Sequence, residues 1–161
     1  MAYSVVALAG AGIRTFVEDP ENPGTWVFLE NALTMGAVES KRGFIETTPL
    51  ASNNKTFIAG DDEVSQSEIA FNDIPGNPSN AFFNELALAK AEVNFRIEFP
   101  NGRRVDTNLS LGGFGLNEPS RTEALKIMHP YQRNGEPLLS EWITPTAPAV
   151  WDDAASEFVA A

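Results

Sequence analysis

A strict alternation of apolar and polar residues on either side of an Asn-Gly pair constrains this chain more than any other feature. Val93, Phe95, Ile97 and Phe99 alternate with Asn94, Arg96 and Glu98, and after Asn101-Gly102 the pattern resumes at Val105, Thr107, Leu109 and Leu111. Successive side chains of a strand point to opposite faces, so this segment is written for a β-hairpin with one apolar and one polar face. Asn-Gly supplies the positive φ that a tight hairpin turn demands. Two strands alone are marginal in water, so the apolar face requires further strands or a helix to cover it.

The remaining chain supplies them. Eleven prolines and twelve glycines among 161 residues leave little room for long helices. Aromatic and β-branched runs predict strands at Thr25–Glu30, Ala37–Ser40, Phe44–Thr48 and Thr56–Ala59. Pro49 ends the third of these, and Gly60 with Asp61-Asp62-Glu63 breaks the fourth. Ser67–Asn72 alternates, with Ile69 and Phe71 on one face and Glu68, Ala70 and Asn72 on the other. Thr122–Met128 reads as a further strand, stopped by His129-Pro130. One helix is expected, Pro78–Ala91: Asn77 can cap it, Pro78 suits its first position, and Phe82, Leu86 and Ala89 recur at helical spacing. Leu50–Lys55 and Gly112–Gly115 read as loops.

The sum is an all-β fold, a sandwich or barrel of roughly seven or eight short strands with one flanking α-helix. Turn residues at Asp19–Gly24 and the Pro/Gly-rich tail suggest three parts: an N-terminal arm (1–24), a β-domain (25–137) and a C-terminal arm (138–161) anchored by Trp142, Ile143 and Trp151. The apolar run Val5–Ala11 is short and lacks a preceding basic segment, so it reads as mature chain made in the cytoplasm. No apolar run approaches a membrane span.

Composition narrows the chemistry. With no cysteine, disulfides, thiolate catalysis and thiolate-bound zinc are excluded. His129 is the only histidine, and no Gly-x-Ser-x-Gly elbow accompanies it. Asp61-Asp62-Glu63 lacks the spaced oxygens of a calcium loop, and the glycine clusters lead into no Lys-Ser/Thr helix start. The reading is therefore of a non-enzyme with no catalytic residues, metal or cofactor. A net charge of −11 argues against gripping nucleic acid, which takes clustered cations. The only adjacent basic pairs are Lys41-Arg42 and Arg103-Arg104. The second pair either keeps a strand end soluble or bridges to an acidic loop of a neighbouring subunit.

Several segments in order resemble one family. Ile45-Glu46-Thr47-Thr48-Pro49-Leu50, then Lys55-Thr56-Phe57-Ile58-Ala59-Gly60-Asp61, resembles the segment that phage tail tube proteins place between two sheet strands. The alternating strand Ser67–Asn72, a turn, a short helix, the hairpin Asn94–Gly102, the strand Ala124–Ile127 and Gly135-Glu136-Pro137 follow in the family's order. The resemblance covers Trp26 to Pro137. It implies the major tail tube protein of a long-tailed phage, a virion protein made in the host cytoplasm and forming hexameric rings. These would stack into a channel that DNA transits unbound, with the tape measure, tail terminator and distal tail proteins as partners and no membrane.

For single residues the resemblance implies a ring-stacking loop of Thr47, Thr48, Leu50, Asn53, Asn54, Lys55, Asp61, Asp62 and Glu63. Glu68, Asn72 and Glu98, on polar strand faces, are lumen candidates, and Arg103, Arg104, Trp142 and Trp151 are candidates for inter-subunit contact. Two other readings stand beside it. One is a tube subunit of a contractile injection or secretion apparatus. The other is a β-sandwich decoration or glycan-binding module using Trp26, Trp142 and Trp151.

Overall fold

The computed structural model describes residues 12–62, 66–141 and 144–161, with backbone alone at position 62. In chain order the elements are β1 (Arg14–Glu18), β2 (Trp26–Phe28), β3 (Ala32–Met35), β4 (Arg42–Glu46), β5 (Phe57–Asp62), β6 (Gln66–Asn72) and α1 (Pro78–Leu88). There follow β7 (Glu92–Glu98), β8 (Arg103–Leu111), β9 (Gly115–Leu116), β10 (Lys126–Glu141), β11 (Val150–Asp152) and β12 (Glu157–Val159). One antiparallel sheet of eight strands runs in the order β2-β1-β7-β8-β10-β6-β3, with β9 on β10. It curls into a half-barrel. Two separate two-stranded sheets, β4-β5 and β11-β12, accompany it.

The hairpin that the alternation predicts is β7-β8 at the middle of this sheet. Val93, Phe95, Ile97, Val105, Leu109 and Leu111 are buried inside the curl. Its turn differs from a two-residue Asn-Gly loop. Gly102 N donates to Phe99 O at 3.1 Å and Phe99 N to Arg103 O at 2.8 Å, and in this turn only Gly102 has positive φ, at 87°. Pro100 therefore joins the loop and Gly102 acts as the bulge residue.

Four boundaries move. The segment expected to be an N-terminal arm contains β1, an inner strand whose Val17 pairs with Val27 on one side and Phe95 on the other. Phe16 and Val17 are fully buried, so β1 belongs to the core. The strand expected at Ala37–Ser40 lies earlier, at β3, where Met35 pairs with Ile69. Gly60 does not break β5, which continues to Asp62. Nor does His129-Pro130 stop β10: Pro130 lies one residue beyond the last β8 pair, Tyr131 with Leu111, and its carbonyl accepts from Gly112 N at 2.9 Å. A proline is tolerated where the ladder needs only its carbonyl. β10 then runs past position 137 to Glu141, still paired with β8.

Helix α1 starts as expected, with Asn77 Oδ1 accepting from Ser79 N at 3.0 Å and Asn80 N at 3.3 Å. Removing that acceptor in Asn77→Ala should cost about 1 kcal/mol in a denaturant titration. The helix buries Phe83 and Ala87, one position on from the expected stripe of Phe82, Leu86 and Ala89. Adjacent helical positions lie about 100° apart. Phe83 enters the core between Phe71 (5.3 Å) and His129 (5.0 Å), while Phe82 meets Phe158 of β12 at 5.5 Å. The helix thus has two apolar neighbours, the core and the C-terminal hairpin. No helix among the described residues is long and apolar enough to cross a membrane.

Candidate assembly surface

The β4-β5 hairpin stands off the sheet and carries apolar side chains on both sides. Its register places Phe44 opposite Ala59, Ile45 opposite Ile58 and Glu46 opposite Phe57. Side chains alternate, so Phe44 and Phe57 share one face and Ile45 and Ile58 the other. All four are more than half exposed, Phe44 to 77%, and Leu50 beyond them is fully exposed. An isolated hairpin has no core to cover it, and burying one such side chain is worth about 1.5–3 kcal/mol. Both faces are therefore left largely uncovered within the protomer, which makes this hairpin the candidate assembly element.

Polar contacts at the tip only shape it. Thr48 Oγ1 donates to Glu46 Oε1 at 2.9 Å and accepts from Thr56 N at 3.1 Å, and Thr47 N donates to Thr56 O at 2.8 Å. Lys55 lies 3.6 Å from Glu46, and Asn54 N donates to Ser52 Oγ. Asn53 is exposed, and Asp61 falls in β5. Glu63 and Trp142 lie outside the described residues. The direction of the hairpin follows from register. Met35 pairs with Ile69, and β6 begins at Gln66 opposite Gln132. The connection between β3 and β6 thus leaves the sheet in the direction β10 takes toward Glu141, which pairs with Arg103 beside the β7-β8 turn.

The sheet itself is open. β6 pairs with β10 only over residues 126–132, and among the described residues no strand lies on that side of β10 from Arg133 to Glu141. Leu138 and Leu139, which alternate across the strand there, are both largely exposed. On that same side β3 ends the strand order, with no strand beyond it among the described residues. An unpaired strand edge is a template for another chain.

The opposite margin is guarded. Ala149 N donates to Trp26 O of β2 at 2.8 Å, and the strap leading there is held by a buried carboxylate. Glu98 is 2% exposed, its Oε1 bound by Thr146 N (2.9 Å), Thr146 Oγ1 and Arg104 Nη2 (2.9 Å), while Oε2 faces Arg14 Nη1 at 3.5 Å. Arg14 and Arg104 also donate to the carbonyls of Thr146 (2.9 Å) and Thr144 (3.1 Å). Two sequence expectations are corrected by this cluster. Glu98 presents no free charge to a lumen, and Arg104 is occupied within its own protomer. Alternation put Glu98 on the polar face correctly but could not reveal that the C-terminal strap returns over it.

Burial alone would raise the Glu98 carboxyl, but the bonds from Thr146 and Arg104 outweigh it and hold the group below its ordinary 4.5. A depressed carboxyl stabilises the fold fully above its unfolded value, and that contribution drains as pH falls through the folded one. Glu98→Gln should therefore destabilise the protein at neutral pH, and its stability should fall less steeply than wild type below pH 4.5. Urea titrations across that range check both.

Of the remaining candidates, Glu68 is exposed and Asn72 half-buried, both on β6. Arg103 is exposed at the β7-β8 turn. Trp151 is half-buried, packed on Phe158 at 5.0 Å with its indole N–H donating to Asp153. Sequence reading missed a row of polar side chains across four strands: Asn134 donates to Asn108 (2.8 Å), Asn108 to Asn94 (3.1 Å) and Asn94 to Glu18 (2.7 Å). The three asparagines sit at polar positions of alternating strands, a signal available only once register is known. His129, 1% exposed, has Nδ1 3.0 Å from Gly113 O, and burial pushes its pKa down although that bond opposes it. No group of metal-ligating side chains forms among the described residues.

Comparison with known proteins agrees with this architecture. The phage tail tube protein family model matches residues 12–142. None of the curated proteins matches in sequence. Among solved structures, the tail of an empty gene transfer agent particle refined with C6 symmetry superposes with a TM-score of 0.64 at 11% identity, covering 84% of this chain and 99% of that one. The tube-terminating cap of the anti-feeding prophage gives 0.68 at 11%, covering 88% and 96%. The SPP1 tail tube gives 0.66 at 12%, covering 86% and 81%. A tube-like fold with an open sheet and an uncovered apolar hairpin, matched over most of its length by one family, makes this chain a member of the phage tail tube protein family and a structural subunit of a tail tube.

Proposed function

We propose that the protein assembles into hexameric rings that stack into a hollow tail tube, through which DNA passes during ejection. The observation that carries this reading is the β4-β5 hairpin, apolar on both faces and covered on neither. A hairpin of that kind is satisfied by insertion between copies. A heterologous contact at the open sheet margin, repeated by rotation, closes a ring, and the hairpin continues it as a filament. The sixfold choice is supported by the C6 symmetry of the gene transfer agent tail that shares the fold.

The residues of the stacking element are Thr47, Thr48, Leu50, Asn53, Asn54, Lys55, Asp61 and Asp62, on an arm stiffened by the β4-β5 pairing, together with Glu63 from outside the described residues. The polar face bearing Glu18, Asn94, Asn108 and Asn134, with Glu68 and Asn72 on β6, turns to the bore. Amides and carboxylates there repel or ignore phosphates spaced about 1.7 Å apart along the duplex axis. The protein acts in the virion tail after synthesis in the host cytoplasm, with tape measure, terminator and distal tail proteins at the tube's core and ends. It performs no catalysis. Electron microscopy of the purified protein, concentrated at moderate salt, is expected to reveal rings or hollow tubes. A protein that stays monomeric across salt and concentration would defeat the proposal.

A further inference from the structure

A groove opens where α1, the Asp19–Asn22 turn and the β11-β12 hairpin meet, with a volume of about 630 Å³. Phe82, Trp151 and Phe158 form its apolar wall, and Glu21, Glu85 and Glu157 stand exposed around it. No lysine or arginine lines it, and none of these three carboxylates has an ion-pair partner among the described residues. Aromatic faces ringed by carboxylates suit a guanidinium, which stacks on the rings while its N–H groups bond the carboxylates.

The same chain carries such a group at the opposite end of its strands. Arg103 opens β8 and is exposed, and it makes no ion pair with a carboxylate among the described residues, Glu141 opposite it in the ladder included. At the far end of β8, Leu111 N donates to the carbonyl of Ala91, a residue of the groove. The nine residues of β8 separate the two by roughly 25–30 Å at about 3.3 Å per residue, too far for Arg103 to reach its own groove. Arg103 also sits at the end toward which the β4-β5 hairpin leaves the sheet.

We infer that the groove receives the β7-β8 turn of a second copy, with the guanidinium of Arg103 set against Phe82, Trp151 and Phe158 and paired with Glu21, Glu85 or Glu157. This contact rests on the tube reading above and names its head-to-tail charge pairing. For a subunit of net charge −11, a local cation–anion match of this kind offsets the repulsion between stacked copies.

Charge reversal tests it in the full chain. Arg103→Glu should raise the protein concentration needed for tube growth by about tenfold or more, with the monomer's melting temperature unchanged. Adding Glu85→Arg and Glu157→Arg to that variant should restore growth. The absence of cysteine permits an independent check: Arg103→Cys with Glu85→Cys, treated with a short bis-maleimide, should yield covalent ladders longer than one ring from assembled material. Wild-type growth by Arg103→Glu, no rescue by the reversed groove, or tubes of the cysteine variant that give no such ladder would each overturn the contact while leaving the tube reading intact. Failure of the wild-type chain to form tubes would sink that reading, and this contact with it.

Discussion

Placing an aspartate at Phe44 is expected to abolish tube growth and leave the monomer as stable as wild type. Phe44 is 77% exposed in the protomer and packs into no core, so the substitution costs the monomer at most about 0.5 kcal/mol. In the proposed stacking the same ring is covered, and losing its burial would remove about 1.5–3 kcal/mol per subunit before the cost of trapping a carboxylate. All subunits of a ring dock together, so the loss is on the order of 10 kcal/mol per stacking event in a ring of six. Ile45→Asp, on the other face, should act equally, because a hairpin clasped on one side only would leave one of the two faces tolerant. Deleting Leu50–Thr56 should likewise spare the domain and block growth. Sedimentation of assembled material, with circular dichroism on the monomer, separates the effects. Normal-length tubes from either aspartate variant would remove the hairpin from the interface.

The largest effect on the protomer itself should come from Phe95→Ala. Phe95 is 2% exposed at the centre of the sheet, between Val17 of β1 and Thr107 of β8. Its truncation leaves a cavity that flanking strands, each hydrogen-bonded on both sides, cannot close. The expected loss is about 3–5 kcal/mol, a large part of the 5–15 kcal/mol that holds a domain of this kind together. For a chain of this length the melting temperature should drop by about 10 °C. Because the buried face is the one opposite Asn94, Asn94→Ala should shift it far less. Equal melting temperatures for wild type and Phe95→Ala would mean the inward face has been misassigned.

These two predictions differ in how far the sequence alone led to them. The β7-β8 hairpin is legible because alternation runs on both sides of a turn glycine, although the loop also takes in Pro100, and burial follows from that alternation with no help from elsewhere. The cap of α1 was legible in Asn77-Pro78 for the same reason: the signal is local. β1 was not, since Arg14–Glu18 is a short strand beside a Pro/Gly-rich turn, and only its pairing with β7 makes it core. The passage of β10 through Pro130 depends on β8 ending at Leu111, and the phase of α1 on the second apolar partner that β12 brings. Of the candidate assembly surface, the resemblance points to the Thr47–Glu63 loop alone, and the two exposed apolar faces of the hairpin that carries it emerge only from the Ile45–Ile58 register. Glu98 departs from its strand's pattern because a strap more than forty residues later buries it. Sequence pattern reports what a residue's own strand does with it, and long-range contacts decide the rest.

Three-dimensional reconstruction of assembled tubes by cryo-electron microscopy bears most directly on the claim that copies of this chain complete one another. Both faces of the Arg42–Asp62 hairpin are expected to be buried against adjoining subunits, and the unpaired side of β10 from Arg133 to Glu141 to be covered by a ring neighbour. Tubes in which Phe44 and Ile58 remain in solvent, or in which that side of β10 faces water, would contradict that claim.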